Sequence, residues 1–297
     1  MKTRNESTGT VREVLNKGVE FLRERKTGEP EILAERLLQG LLGCKRFELY
    51  LNGDRELAAV QVEKYFDFLR QRAEGIPSQY ILGQAEFMDF TLKVGPAVLI
   101  PRPETELLAE RSIQDLWERH LGGAEADILD VGTGSGNLAI SLASYLPKAS
   151  VCAVDISDEA LEIARLNSMR HEVGHRIQFL KSDLFAAIPA GLKFDLIVSN
   201  PPYLSESDMR EIAPEVAEEP RGALLAGPRG TECLERLAKE AGLFLKPGGR
   251  MLIEIGSAQG RAAGDLFASN GWDCRIFKDY NGLDRVVALA ARQGPSV

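Results

Sequence analysis

The sequence predicts an α/β fold in which helices cover both faces of a doubly wound, mostly parallel, seven-stranded sheet. A small all-helical domain precedes it. Beyond Gly123, short apolar runs alternate with stretches of helical periodicity, whereas residues 1–75 show helical periodicity alone. Apolar strands separated by helices are typical of parallel sheets covered on both faces, which bind ligands at the carboxyl ends of their strands.

Seven apolar runs are predicted as the strands of this sheet. They are Asp127–Val131, Ser150–Asp155, Ile177–Leu180, Phe194–Ser199, Arg250–Gly256, Cys274–Phe277 and Val286–Ala290. An amphipathic helix is predicted from Glu104 to His120, ahead of the first of these strands. The catalytic domain is therefore expected to span residues 104–297.

Residues 1–75 are predicted to form a helical substrate-recognition domain. Its predicted helices are Thr10–Arg25, Pro30–Leu42 and Leu57–Ala73. The segment Gly75-Ile76-Pro77 would end this bundle, because glycine and proline both disfavour helix continuation. From Pro77 to Pro103 the pattern changes to strand-like alternation, which predicts a β-hairpin linker over residues 76–103.

Charge argues against a protein that holds a long stretch of nucleic acid. The 297 residues carry a formal net charge of -8, and residues 1–75 carry 14 Lys and Arg against 13 Asp and Glu. The acidic excess therefore lies in the predicted catalytic domain, the wrong sign for gripping a phosphate backbone. We expect no stable binding of nucleic acid.

Neither a membrane partner nor a metal is indicated. The first 25 residues hold no apolar stretch typical of a signal peptide, and no later run has membrane-spanning length, so a cytoplasmic location is expected. The four cysteines are far apart and form no Cys-x-x-Cys pair, which argues against a disulfide framework and a thiolate zinc site.

A glycine-rich loop follows the first predicted strand. The run Val131-Gly132-Thr133-Gly134-Ser135-Gly136 ends a strand and opens a helix, where bare backbone can approach a ligand closely. It differs from the dinucleotide fingerprint G-x-G-x-x-G, because Asn137 stands where the last glycine belongs. A tight strand-to-helix turn without a ligand is the alternative interpretation.

Two acidic residues at later strand ends strengthen the prediction of a nucleotide site. Asp155 ends the next strand about 20 residues on, where a carboxylate can accept hydrogen bonds from ribose hydroxyls. Asp183 follows the third strand and could accept from an adenine amino group, or could simply be a helix N-cap. This spacing leaves a nicotinamide dinucleotide and S-adenosylmethionine both open.

The segment Asn200-Pro201-Pro202-Tyr203 favours methyl transfer to nitrogen. It follows an apolar strand, and its prolines stiffen an extended backbone with free carbonyls. An amide or aromatic amine is a poor nucleophile because its lone pair is delocalised, so the site must hold the NH2 group. The oxygen of Asn200 and the carbonyl of Pro201 can accept its two N–H bonds, while Tyr203 can stack on the planar group.

With these motifs in place, the sequence resembles the seven-stranded class I methyltransferases, and among them the HemK/PrmC family of release-factor glutamine methyltransferases. The resemblance covers nearly the whole chain. Its further motifs are Pro77-Ser78-Gln79-Tyr80-Ile81-Leu82-Gly83, Leu99-Ile100-Pro101-Arg102-Pro103-Glu104-Thr105-Glu106, Glu219-Pro220, Lys246-Pro247-Gly248-Gly249 and Tyr280-Asn281-Gly282-Leu283-Asp284-Arg285.

The resemblance implies a reaction and a set of contacts. S-adenosyl-L-methionine would methylate the side-chain amide of the glutamine in the Gly-Gly-Gln motif of peptide-chain release factors, giving N(5)-methylglutamine and S-adenosyl-L-homocysteine. The implied cofactor contacts are Gly132, Thr133, Gly134, Ser135, Gly136, Asp155, Asp183, Leu184 and Asn200. The implied substrate contacts are Asn200, Pro201, Pro202 and Tyr203, of which Asn200, Pro201 and Tyr203 would be catalytic.

Two points stay open within the resemblance. Some relatives have an aromatic residue where this chain has Leu184, so stacking on adenine is unsupported there and an apolar or backbone contact would replace it. The stretch Arg102 to Thr105 matches the family, yet a simple helix start explains it as well as a role in the site does.

Other functions are compatible with parts of the pattern. A glutamine methyltransferase of a ribosomal protein would have nearly the same site, as would an adenine N6 methyltransferase that flips its base. The net charge and the lack of a basic stripe disfavour the nucleic-acid enzyme. A module that binds the cofactor without turnover is disfavoured because the loop and the Asn200 motif are both intact.

Overall fold

The computed structural model describes residues 8–292 of the chain, so the outer ends of the predicted first and last domains lie outside the described residues. The α-helices are α1 (Val11–Glu24), α2 (Pro30–Leu42), α3 (Arg46–Leu51), α4 (Ala59–Ala73), α5 (Ser78–Leu82), α6 (Pro103–Glu118), α7 (Asn137–Tyr145), α8 (Asp158–Arg170), α9 (Pro214–Ala217), α10 (Arg221–Leu224), α11 (Glu232–Glu240) and α12 (Gly260–Ser269).

The β-strands form one large sheet and three short pairs in the described residues. They are β1 (Gly9–Thr10), β2 (Glu56–Leu57), β3 (Gln84–Phe87), β4 (Phe90–Lys93), β5 (Ala126–Val131), β6 (Ala149–Asp155), β7 (Ile177–Lys181), β8 (Phe194–Ser199), β9 (Leu204–Ser205), β10 (Leu225–Gly227), β11 (Leu245–Glu254), β12 (Trp272–Lys278) and β13 (Asp284–Ala291).

The chain divides into two compact units. The first contains the described residues up to Gly83 together with Ala213–Glu218, and the second contains Gln84–Ile212 and the described residues from Glu219 on. The predicted hairpin is the pair β3–β4, and it belongs to the second unit.

The first unit is a helical bundle, as predicted. Helices α1, α2 and α4 pack around an apolar core, within which the buried Tyr65 donates a hydrogen bond to the carbonyl of Ala34 at 3.0 Å. A capping box between Thr10 and Glu13 starts α1, because it pairs two N–H groups that the helix leaves unpaired. Helix α3 and the short pair β1–β2 were not predicted, since two to six residues carry too little periodicity.

The second unit contains the predicted seven-stranded sheet, in the order β12-β13-β11-β8-β5-β6-β7. Strand β13 runs antiparallel to both of its neighbours, and the remaining pairs are parallel, so the predicted mostly parallel sheet is confirmed. The chain adds β6 and β7 on one side of β5 and then crosses to place β8 on the other. The strand order therefore reverses between β5 and β8, where such sheets bind their ligands.

Apolar side chains cover both faces of the sheet. On β8, Leu196 and Val198 belong to the core that α6 and α7 bury, whereas Ile197 belongs to the core under α11 and α12. Each buried side chain of this size stabilises the fold by about 1.5–3 kcal/mol. Burial on both faces explains why these strands are continuous apolar runs.

Two parts of the predicted pattern differ from the structure. The run predicted from Arg250 is part of a strand that begins at Leu245. The register against β8 shifts between these two residues, since Leu245 pairs with Phe194 and Arg250 pairs with Leu196. The strand-like region predicted from Pro77 begins with helix α5, and its final apolar run, residues 97–100, forms no strand. Short segments next to proline lack the length that periodicity requires.

Candidate active site

A cavity of about 490 Å³ opens at the carboxyl ends of the parallel strands in the second unit. Its size is that of a small-molecule site. The predicted site residues that line it are Gly132, Thr133, Gly134, Ser135, Asp155, Asp183, Leu184, Asn200 and Pro202. All of the predicted site residues lie in the described part of the chain. Three of them do not line the cavity, namely Gly136, Pro201 and Tyr203.

The glycine-rich loop is fastened to the neighbouring strand. The backbone N–H groups of Gly132 and Thr133 both donate to the carbonyl of Val154, at 2.8 and 3.0 Å. Gly136 has a φ of +84°, and a Cβ there would lie 3.1 Å from the Cβ of Ala164. Glycine is therefore favoured at this position, both by the left-handed turn and by the close packing of α7 on α8.

Asp155 lies at the end of β6 and is bonded to the glycine loop. Its Oδ2 accepts from the N–H of Gly134 at 2.9 Å, and its Oδ1 accepts from the N–H of Ser157 at 3.0 Å. A carboxylate oxygen can accept more than one hydrogen bond, so both oxygens keep capacity for hydroxyl donors in the cavity. The carboxylate is thus oriented by the chain itself.

Asp183 and Leu184 lie beyond the end of β7. The carboxylate of Asp183 accepts from the guanidinium of Arg236 at 2.8 Å, and residues 184–187 form turns, so the alternative of a helix N-cap is wrong. Leu184 adopts a left-handed backbone with φ of +49°, a conformation that is costly for a leucine. Its carbonyl accepts from the hydroxyl of Ser182 at 2.8 Å, which helps to hold it.

Asn200 is the polar residue of its motif that faces the cavity. Its Nδ2 donates to the hydroxyl of Thr105 at 3.0 Å, and that hydroxyl donates to Oε2 of Glu254 at 2.7 Å. The first contact turns Oδ1 of Asn200 away from Thr105. The three residues come from the end of β8, the first turn of α6 and the end of β11.

Glu254 is buried to 1% exposure. Burial raises the pKa of this carboxyl to about 7, against the opposing effects of the Thr105 hydroxyl and of Arg285 and Arg102. It was not singled out in the sequence, although it ends an apolar strand just as Asp155 does. Its position at the end of a predicted strand was the signal from which it could have been identified as a site residue.

Gln259 holds the last residue of the motif that begins at Asn200. The side-chain amide of Gln259 donates to the carbonyls of Tyr203 and Gly230, at 3.1 and 2.9 Å, and accepts from the N–H of Gly256 at 2.9 Å. Burial raises the pKa of the Tyr203 hydroxyl. The stacking of this ring on a substrate stays a prediction.

The segment before α6 forms part of the cavity wall. The buried Glu219 accepts from the N–H of Ile100 at 3.0 Å and pairs with the guanidinium of Arg102. Leu99, Pro101 and Arg102 line the cavity. The sequence left two equal interpretations open for Arg102, a helix start and a role in the site. In the structure, Arg102 lines the cavity and pairs with Glu219, which is 117 residues away in sequence.

Two buried polar side chains support the glycine loop from below. Asp130 is fully buried, accepts from Thr133 and from the N–H of Ala139, and its Oδ1 has no hydrogen-bond partner in residues 8–292. Burial raises its pKa to about 7. The buried Asn167 donates to the carbonyls of Ser135 at 2.8 Å and of Lys93 at 3.0 Å, so it ties β4 to the loop.

Neither a membrane span nor a metal centre is found in the described residues. None of the helices between residues 8 and 292 combines the length and apolar character needed to cross a membrane. Within the same residues, no group of three or more His, Cys, Asp or Glu side chains is placed to hold a metal ion.

Comparison with known proteins assigns a family. Residues 13–83 match the family model of the PrmC N-terminal domain, and residues 113–229 match that of the methyltransferase small domain. The release factor glutamine methyltransferase of Chlorobaculum tepidum is 40% identical over 292 residues, covering 97% of this chain and 99% of the relative. That of Rhodopirellula baltica is 37% identical over 291 residues, covering 97% and 98%.

Among solved structures, the ribosomal protein L11 methylase of Lactobacillus delbrueckii subsp. bulgaricus shares the fold with a TM-score of 0.50. It is 24% identical and covers 68% of this chain and 86% of its own. The resemblance drawn from the sequence is confirmed by the curated relatives, and the chain belongs to the release factor glutamine methyltransferase family.

Proposed function

We propose that this protein transfers a methyl group from S-adenosyl-L-methionine to the side-chain amide of the glutamine in the Gly-Gly-Gln motif of peptide-chain release factors. The products are N(5)-methylglutamine and S-adenosyl-L-homocysteine. The observation that carries the proposal is the position of Asn200, whose side chain lies in the same cavity as the glycine loop and Asp155.

The cavity fits this cofactor. Gly132, Thr133, Gly134, Ser135 and Gly136 would form the loop against its methionine and ribose, and the oriented carboxylate of Asp155 would accept from the ribose hydroxyls. Asp183 would accept from the adenine amine, with Leu184 as an apolar contact. When bound, the cofactor supplies a methyl group on a positively charged sulfonium.

The chain's own part in the reaction is to hold the glutamine amide. Oδ1 of Asn200 and the carbonyl of Pro201 would accept its two N–H bonds, and Pro202 and Tyr203 would complete the substrate contacts. Holding both hydrogens favours a pyramidal nitrogen and aims its lone pair at the methyl group. A strong base is not required, because the proton becomes acidic only after the nitrogen has gained the methyl group.

The partner is proposed from the family and from the arrangement of the chain. Relatives at 37% and 40% identity are named for release factors, and residues 1–75 would help to recognise that substrate. Residues 76–103 would link recognition to the catalytic residues 104–297. A cytoplasmic location follows from this partner, because termination of translation takes place there.

Labelled cofactor tests the proposal. The protein is incubated with S-adenosyl-L-methionine labelled on its methyl group and a purified release factor, in parallel with a release factor whose Gly-Gly-Gln glutamine is replaced by alanine. Label in the first reaction alone supports the proposal. Equal label in both, or none in either, contradicts it.

A further inference from the structure

Three residues far apart in sequence, Asn200, Thr105 and Glu254, form a hydrogen-bond relay that ends in the cavity. Asn200 and Thr105 are 95 residues apart, and Thr105 and Glu254 are 149 residues apart. Thr105 and Glu254 are almost fully buried, at 1% exposure each. Thr105 and Asn200 both line the cavity, and Asn200 is the one of the three residues that is only partly buried.

We propose that Thr105 and Glu254 are positioning residues, which fix the side-chain amide of Asn200 with its nitrogen toward Thr105 and its oxygen toward the glutamine. The inference rests on the proposed function, in which that oxygen accepts an N–H of the substrate amide. It gives the threonine of the Arg102 to Thr105 stretch a role other than starting a helix.

The direction of each hydrogen bond follows from the chemistry of the groups. An ionised carboxylate only accepts, so the hydroxyl proton of Thr105 must point to Glu254. The hydroxyl oxygen then offers only lone pairs to Asn200, and only an N–H can satisfy them. The amide of Asn200 cannot turn over without leaving buried polar atoms unpaired, which is costly.

Protonation of Glu254 removes this constraint. A protonated carboxyl can donate to Thr105, whose own proton is then free to point at Asn200 and favour the opposite amide orientation. The charged groups that face Glu254 are Arg285 on β13 and Arg102 and Glu104 at the start of α6, and Tyr203 is its neighbour beyond β8. With burial, they place the pKa of Glu254 at about 7, within the range where enzymes work.

Substitutions of Thr105 separate positioning from packing. Thr105→Val keeps the shape but not the hydroxyl, whereas Thr105→Ser keeps the hydroxyl and loses a methyl group. Positioning predicts that Thr105→Val slows single-turnover methylation of a release factor on the order of 10- to 100-fold, while Thr105→Ser stays within about threefold of wild type. A packing role predicts the reverse order, because the serine variant leaves the larger void.

Ser112→Ala is the matched control, since Ser112 is a buried hydroxyl of the same helix that donates to the carbonyl of Leu108. It should leave the rate unchanged. Cofactor affinity, measured by calorimetry, should stay within about threefold of wild type in Thr105→Val, since the relay acts on the substrate amide. A control that slows methylation as much as Thr105→Val would overturn the inference.

A second readout needs no substrate. In wild type, the side-chain amide proton resonances of Asn200, assigned by their loss in Asn200→Ala, should titrate with a midpoint near pH 7, and the methylation rate should fall below it. Glu254→Gln cannot ionise and should lose both effects, with a rate close to that of wild type at acid pH, because its amide N–H can donate to Thr105 as the protonated carboxyl does.

The methylation assay and the titration of the Asn200 amide resonances can be judged separately. A wild-type protein that methylates no release factor ends the proposed function, and the amide titration then decides the relay alone. Resonances that titrate equally in wild type and Glu254→Gln, or a serine variant slower than the valine variant, contradict the relay.

Discussion

The carboxylate of Asp155 accepts a hydrogen bond from the backbone N–H of Gly134 at 2.9 Å. The two motifs that the sequence identified 21 residues apart are therefore joined within the chain itself. Because this bond fixes the direction of the carboxylate, the residue is oriented for hydroxyl donors before any ligand binds.

Asp155→Ala should weaken cofactor binding before it affects anything else. Loss of a charged acceptor for two hydroxyls should raise the dissociation constant by about 10- to 100-fold, as measured by calorimetry. Asp158→Ala, three residues on, removes an exposed carboxylate that pairs with Lys181 and does not line the cavity, and is the control. Unchanged affinity in Asp155→Ala would show that the ribose does not contact this carboxylate.

Asn200→Ala should separate turnover from cofactor binding. The alanine removes one acceptor for the substrate amide but leaves the loop and Asp155 in place, so methylation should slow on the order of 100-fold. The cofactor should bind about as well as to wild type, unless Asn200 also contacts it, in which case both fall. Asn270→Ala, an exposed asparagine at the end of α12, is the control. A fully active Asn200→Ala protein would refute the mechanism.

Asn167→Ala should destabilise the second unit. The buried side chain makes three hydrogen bonds, to Ser135 and to both backbone groups of Lys93, and the alanine would leave these partners unpaired. The free energy of unfolding should fall by about 2–4 kcal/mol. Urea unfolding measures this, with Asn270→Ala, which loses one exposed hydrogen bond to the carbonyl of Leu266, expected within about 1 kcal/mol of wild type. Equal stability of both variants would contradict this role.

Asp130 should make the protein less stable as pH rises. Its pKa when folded is about 7 and lies above the usual value, so the folded chain holds this proton more tightly than the unfolded chain does. That contribution is complete at acid pH and is lost as pH rises from about 4 to about 7.

Asp130→Asn mimics the neutral carboxyl and should match wild type near pH 4 but exceed its stability above about pH 7, as seen in urea midpoints. Glu254 contributes with the same sign, so part of the pH dependence should persist in the variant. A variant that loses stability at high pH as steeply as wild type would show that Asp130 is ionised freely in the fold.

The sequence predicted the elements whose signals are local. The strands β5, β6 and β8 contain buried apolar runs because both faces of the sheet are covered. Strand β6 ends at Asp155, and β5 and β8 are followed directly by Gly132 and Asn200. Since parallel strands end at one edge of a sheet, Gly132, Asp155 and Asn200 could be placed together from the sequence alone.

Contacts between distant segments could not be predicted in this way. No periodicity or motif indicates that Thr105 meets Asn200, or that Glu219 meets Arg102, because these pairs depend on how helices and loops pack over the sheet edge. The turn at Leu184 could not be predicted either, since a left-handed backbone conformation is locally unfavourable for leucine. The hydrogen bond from Ser182 helps to hold it.

The most direct test offers the protein two nitrogen substrates in one reaction. A release factor and an adenine-containing DNA oligonucleotide are mixed with cofactor, and mass spectrometry locates the methyl group. We predict methylation at the glutamine of the Gly-Gly-Gln motif and none on adenine. Methyl groups on adenine alone, or on residues of the release factor other than that glutamine, would contradict it.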